Sequence, residues 1–214
     1  MGPLAADNGG TVERSSGSMT SEPEAALKIA RQFVMAGALA AVFCLVAAAS
    51  DSGLWLDVPY VHQEKDGCGS ASLAMVLRYW KGKNFAVAED RMDPVRIQHE
   101  LYAKRPRGIY ASDMENYLRA TGFDVFAFRG EWNDLRTQVA KGRPLIIGLK
   151  RKGGLKPRGA PAHYVVVVGV DPQDAAVLVN DPERGKMVRI ERREFEKAWQ
   201  GTETWTLLAV PHHS

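Results

Sequence analysis

Asp66-Gly67-Cys68-Gly69-Ser70-Ala71-Ser72-Leu73-Ala74-Met75-Val76-Leu77 is the stretch from which the rest of this sequence is best read. Leu73, Val76, Leu77 and Trp80 recur at helical spacing, which predicts a helix over Ser70–Trp80 with Cys68 at its N-terminus. Far downstream, Ala162-His163-Tyr164-Val165-Val166-Val167-Val168-Gly169 reads as a strand opened by a histidine, and the next β-rich run closes on Asn180-Asp181-Pro182. A thiol of pKa ~8.5 is mostly protonated at neutral pH, and a helix N-terminus and a nearby imidazolium both lower that value. The histidine must also hand its proton to a leaving group, so a third residue has to fix its tautomer and orientation. Cys68, His163 and Asp181 fit these three parts in that order, with Asn180 as a spare third member. A hairpin about Asp171-Pro172 would set the ends carrying His163 and Asp181 side by side. Gln63, five residues before Cys68, offers a side-chain amide beside the Cys68 N–H, which together make a pair of donors for an oxyanion.

Around these positions the chain reads as short periodic elements separated by turns. Ser112–Ala120 reads as a short surface helix opened by a Ser112/Glu115 capping box and stopped at Gly122. Strands are expected at Phe123–Phe128, Pro144–Lys150, His163–Val170, Ala176–Asn180, Lys186–Ile190 and Thr204–Val210. Further helices are expected at Trp132–Ala140, ended by Gly142, and at Arg193–Gln200. Helices early and a largely antiparallel sheet late make an α+β order. Trp80, Trp132, Trp199 and Trp205 fall on periodic elements and are expected in or near the core.

Four blocks together carry a family resemblance: Asp57-Val58-Pro59-Tyr60-Val61-His62-Gln63, Gly67–Leu77, His163–Gly169 and Asn180-Asp181-Pro182-Glu183-Arg184-Gly185. They resemble the bacteriocin-processing, double-glycine-leader cysteine peptidases, peptidase family C-39, and the stand-alone relatives of that family. The likeness spans about residues 55 to 210. It implies a papain-like cysteine peptidase fold with N-terminal helices packed on a mainly antiparallel sheet. By the same likeness Cys68 is the nucleophile, His163 the base and acid, Asp181 the orienter and Gln63 part of the oxyanion hole. The expected activity is peptide-bond hydrolysis through a thioester acyl-enzyme. Two alternatives keep the same cleft: an acyltransferase or amidase with the same triad, and an inactive peptide-binding module.

The N-terminal part reads differently. Residues 1–32 form a leader of small and polar residues with Lys28 and Arg31 near its end. Residues 33–49 are weakly apolar and finish Ala47-Ala48-Ala49-Ser50, the pattern of an export signal cleaved near Ala49. The expectation is an exported protein, periplasmic or extracellular, with a membrane anchor at residues 33–49 as the alternative and Met19 as a candidate start. Cys44, one of two cysteines, would leave with the signal. Residues 50–214 suit one domain, expected to be monomeric.

A net charge of +3 with dispersed basic residues gives no support for nucleic-acid binding. Expected contacts are a peptide or protein substrate, and membrane contact only through the N-terminal segment if uncleaved. No cofactor and no metal are expected, since no residues have the spacing of a structural zinc site. His62 is a candidate substrate contact, His99 a surface residue and the pair His212-His213 a frayed tail. The basic, glycine-rich run Arg151–Ala160 is a candidate cover for the cleft that would favour carboxylate-bearing substrates, or else a plain solvated loop.

Overall fold

A computed structural model describes residues 54–104, 107–151, 162–171, 173 and 175–212. The expectations for the leader, for residues 33–49 and Cys44, and for residues 152–160 of the basic run lie outside the described residues. The order is β1 (Leu54–Trp55), α1 (Cys68–Gly82), a 3-10 turn (Glu89–Met92), α2 (Pro94–Leu101), α3 (Ala111–Ala120), β2 (Phe123–Arg129) and α4 (Trp132–Ala140), followed by β3 (Leu145–Leu149), β4 (His163–Val170), β5 (Ala176–Asp181), β6 (Gly185–Glu191), α5 (Arg192–Gln200) and β7 (Trp205–Pro211). The strands form one sheet in the order β2-β7-β3-β4-β5-β6, every pair antiparallel, with β1 also paired to β4.

The sheet's centre is its driest part. All five residues of β3 and all eight of β4 are buried, so both faces of these strands are covered. Helices α1 and α4 pack on β4, and α5 packs on β3, β5 and β6. Leu73, Met75 and Leu77 of α1, Leu135 of α4 and Phe195 of α5 are fully buried in the same core. Trp132 and Trp199 are buried, and Trp80 and Trp205 pack against the core half-buried, as their periodic positions predict.

Three local expectations need correction. The first helix begins at Cys68 rather than Ser70, which puts the thiol in the helix's opening turn. Second, α3 begins after Tyr110 with no side-chain cap, so Ser112 lies inside the helix and the Ser112/Glu115 box does not form. A capping pair occurs instead at α4, where the Glu131 N–H donates to the Asp134 carboxylate at 2.8 Å. Nor is α3 merely a surface helix, because Met114, Tyr117 and Leu118 on one side are buried. Third, α2 was not expected from the apolar pattern, which is thin there. Its signal is the start Asp93-Pro94: the Asp93 carboxylate accepts from the Val95 N–H at 3.0 Å and proline sits in the first helical position.

The β5–β6 pair contains an irregularity that a side chain repairs. Register runs from Val179↔Val188 to Asp181↔Gly185, so β6 carries an extra residue, and Met187 there adopts a left-handed φ of 55°. The Met187 N–H donates to Asn180 Oδ1 at 3.0 Å, while Asn180 Nδ2 donates to the Val58 carbonyl at 3.0 Å. Asn180 is fully buried and ties three segments together. Replacing Asn180 with Ala strands a carbonyl and an amide, and is expected to cost about 2–3 kcal/mol of stability. Urea unfolding of the two proteins reads this directly; equal midpoints would mean that the two bonds carry no net weight.

Candidate active site

The approach to Cys68 is a tight turn. Gly67 donates to the Glu64 carbonyl at 3.0 Å, Asp66 takes a left-handed φ of 59°, and the Gly67 carbonyl accepts from the Ala71 N–H at 3.0 Å as α1 begins. Ser70 Oγ donates to the same carbonyl at 3.0 Å. Cys68 is thus the first residue of α1, where the positive end of the helix favours an anionic sulfur. Gly69 allows α1 to lie this close to its neighbours: a methyl group there would stand 3.1 Å from Ile109 Cβ and 3.5 Å from the Tyr164 ring. Sγ lies 4.0 Å from the Ala162 carbonyl, just ahead of β4.

His163 and Asp181 meet because of a bulge. Near the hairpin turn the pairs are Val170↔Val177 and Gly169↔Leu178; beyond it they are Val167↔Val179 and Val166↔Asn180, with Val168 the extra residue. Continued without the bulge, the first register would pair Asp181 with Val166 and leave His163 on the opposite face. With the bulge, Asp181 falls opposite Val165, which shares its face with His163. The Val168 carbonyl accepts from the Leu56 N–H at 2.7 Å, so the segment leading from β1 holds the bulge. The result is a buried bond of 2.7 Å between His163 Nε2 and Asp181 Oδ1.

Asp181 is both a turn former and the partner of His163. Its Oδ1 also accepts from the Glu183 N–H at 3.0 Å, closing the turn into β6. Tyr60 Oη donates to the carbonyls of Asp181 and Pro182 at 3.3 and 3.2 Å, and the Gln63 N–H donates to the Pro182 carbonyl at 2.9 Å. The segment that carries Gln63 is thus fastened to the turn that carries Asp181, although Gln63 has no described bond to Cys68. Asn180, the spare third member, is committed to Val58 and Met187 and takes no part.

Two openings flank Cys68, His163 and Asp181. A recess of about 60 Å³ beside Cys68 is lined by Asp66, Arg107, Gly108, Ile109, Ala162 and Tyr164. A cleft of about 320 Å³ lies on the far side of His163, bordered by Leu149, Asp181, Glu183, Ile190 and Phe195. Arg151 borders both, and its Nη2 lies 3.2 Å from His163 Nδ1. Neither this contact nor the Tyr60 tie was assigned from the sequence. The basic run did mark Arg151, but which basic residue turns inward is a matter of fold. His62 is exposed with Nδ1 3.4 Å from Tyr60 Oη, His99 is exposed on α2, and His212 Nδ1 pairs with Asp124 Oδ1 at 2.9 Å. Among the described residues no three His, Cys, Asp or Glu side chains converge on a metal-sized site.

A profile of the Peptidase_C39 like family matches residues 55–206. This chain belongs to that family. Solved structures share the fold. A C-39-like peptidase from Bacillus anthracis is 20% identical, with 77% of this chain and 100% of that one covered at a TM-score of 0.59. The peptidase domain of Streptococcus ComA, a bifunctional ABC transporter involved in quorum sensing, is 22% identical over 72% of this chain and 98% of its own, TM-score 0.52. A double glycine motif protease from an AMS/PCAT transporter, solved with a leader peptide, is 26% identical over 74% of this chain and 94% of its own, TM-score 0.53. No curated protein sequence matches. The α+β papain-like peptidase fold expected from the sequence is the fold observed.

In this C-39-like domain the electrostatics of the three side chains are mutual. Burial by itself raises the Cys68 thiol. The hydrogen bond with His163, the Tyr164 backbone N–H and the charges of His163 and Arg151 outweigh it and bring the thiol below its ordinary value. For His163, burial works against the charged form, but Asp181 and the Cys68 thiolate overcome it and push the imidazole up to about 9. Burial likewise raises Asp181, and the bonds from His163 and from backbone N–H groups outweigh it, leaving the carboxyl below its usual range. Tyr164 is pushed above its ordinary value by burial and then by the neighbouring thiolate.

These directions favour a thiolate–imidazolium pair between the lowered Cys68 value and about 9. Labelling of Cys68 by a neutral alkylating agent is expected to stay fast well below pH 8. In His163→Ala it should shift to the ordinary thiol midpoint of about 8.5. Superimposable profiles for the two proteins would show an unactivated thiol. Stability carries the opposite limb. The His163 value is raised, so its contribution is complete below about 6.5 and lost as pH climbs through about 9.

Proposed function

We propose that the domain is a cysteine peptidase in which Cys68 is the nucleophile, His163 the base and acid, Asp181 the orienter and Gln63 an oxyanion donor. The observation that carries this reading is the buried 2.7 Å bond that commits Nε2 of His163 to Asp181. It leaves Nδ1 as the nitrogen that exchanges a proton with Cys68, whose sulfur stands at a helix N-terminus. Nδ1 takes the thiol proton, and the thiolate attacks the scissile carbonyl. The oxyanion then collects the Cys68 backbone N–H and the Gln63 amide. The imidazolium protonates the departing amine, leaving a thioester on Cys68, and water attacks in the reverse sense to release the acid.

Gln63 supports the reading by what it lacks. Its Oε1 is buried with no hydrogen-bond partner among the described residues. The two ends of an amide have the same shape, and exchanging them leaves a buried N–H donor awaiting an acceptor, as an oxyanion donor does before substrate arrives. The recess beside Cys68 and the cleft beyond His163 give a chain passing over the sulfur room on both sides.

The test is turnover of a peptide library by the wild type and four variants, with the thioester trapped by acid quench and located by mass spectrometry. Cys68→Ala should abolish both turnover and adduct. His163→Ala and Asp181→Asn should lower kcat by about 10²–10⁴. Gln63→Ala should lower kcat by about 10²–10³ with little change in KM. Hydrolysis that survives Cys68→Ala would remove the nucleophile from the reading. An adduct resolved by added amines but not by water would favour acyl transfer. We also propose that residues 33–49 direct export with cleavage near Ala49. N-terminal sequencing of the protein recovered outside the cytoplasm should begin near Ser50, and an intact N-terminus in the membrane fraction would instead make the segment an anchor.

A further inference from the structure

Arg151 stands where the two openings meet, two residues past the end of β3. Its Nη2 lies 3.2 Å from His163 Nδ1 and 3.1 Å from Glu183 Oε2, and its Nη1 lies 3.5 Å from Glu183 Oε1. A guanidinium has only donors and remains charged at any working pH. Its approach to Nδ1 therefore demands a lone pair there, on the nitrogen that must receive the Cys68 proton. The pull of Asp181 and the thiolate towards an imidazolium demands the opposite, a proton on Nδ1. The two states compete for Nδ1, and the guanidinium draws back whenever the reactive one forms.

The present partner of Arg151 is easily exchanged. The Glu183 side chain is 49% exposed, on the turn that follows Asp181, and an exposed pair of this kind contributes little to stability. Arg107, the other guanidinium at the Cys68 recess, is already held by Asp66 Oδ2 at 3.1 Å. Arg151 is thus a fork-shaped carboxylate receptor, at present filled by a carboxylate of the protein itself, next to the reacting atoms.

We propose that Arg151 receives a carboxylate of the substrate, and that this exchange draws the guanidinium away from His163 Nδ1 and frees it for the Cys68 proton. The inference rests on the peptidase reading above and narrows it to acidic peptides, with the carboxylate close to the scissile bond. That carboxylate is either an Asp or Glu side chain or the C-terminal carboxylate of the peptide.

Alkylation of Cys68 in the full-length chain by iodoacetate and by iodoacetamide tests the receptor without requiring turnover. The two reagents share a reactive carbon and differ in a carboxylate. Rates are read at Cys68 by mass spectrometry of its peptide. The ratio of iodoacetate to iodoacetamide rates is expected to fall about tenfold or more in Arg151→Gln. It should hold in Lys186→Gln, which removes the same charge from a surface pair with Asp57. A ratio in Arg151→Gln within about twofold of wild type overturns the proposal. Failure of the peptidase reading shows separately, as iodoacetamide labelling that is indifferent to His163→Ala.

Four matched peptides, with Glu or Gln near the centre and a free or amidated C-terminus, then identify the source of the carboxylate by their protection of Cys68. Protection that follows Glu assigns a side chain, and protection that follows the free terminus assigns the chain end. Equal protection by all four, or by none, overturns the proposal.

Discussion

Because β4 carries Val168 as one residue more than β5 can match, His163 leaves the sheet on the same face as Asp181, and the polar chemistry of the domain follows from that. A slip of one residue in a strand moves every side chain to the other face. Here the slip is confined to one bulge and fixed by the Leu56 N–H on the Val168 carbonyl. The segment that fixes it continues through Val58, Tyr60 and Gln63, each of which contacts β5 or the turn after it. One stretch of backbone thereby sets the face of the histidine, braces the turn of the aspartate and positions the glutamine.

The His163–Asp181 pair is correspondingly constrained. Asp181 Oδ1 is shared between the imidazole and the turn it initiates, so neither can shift without disturbing the other. Asn180, its neighbour on the opposite face, does for the backbone what Asp181 does for the site, since its amide replaces a ladder bond lost where β6 bulges. Two adjacent polar residues, both buried, thus serve different ends. Their neighbours on the strand are apolar, and it is the alternation of faces along β5 that separates the two roles. Burying a pair such as His163–Asp181 is costly unless the carboxylate finds further donors, and the Glu183 and Arg184 backbone N–H groups of the turn supply these.

Much of the architecture was legible. Helix α1, α4, α5 and six strands lie within two residues of where periodicity and turn residues predict them, because each has a clear apolar period or a glycine at its end. Helix α2 escaped because Ile97 alone of its residues is fully buried, so the period is weak, and only its Asp93-Pro94 start betrays it. The Ser112/Glu115 box was a false signal: the helix is already capped at Tyr110, two residues earlier, and Ser112 is left inside the first turn.

The residue types by themselves determined the candidates: one thiol ahead of an apolar helix, one histidine opening a strand, one aspartate before a proline, and a glutamine five residues upstream of the thiol. These are local patterns, each legible from a residue and its near neighbours in the chain. Tertiary structure alone decided which faces they occupy. All eight residues of β4 are buried, so its hydrophobicity has no alternation from which a register could be read, and the bulge that brings His163 to Asp181 leaves no trace in composition. It also decided that Arg151, one of several cations in a basic run, reaches His163 Nδ1 and Glu183 together. Such a contact depends on where three separate backbone segments end, and that is set by the packing of the sheet as a whole.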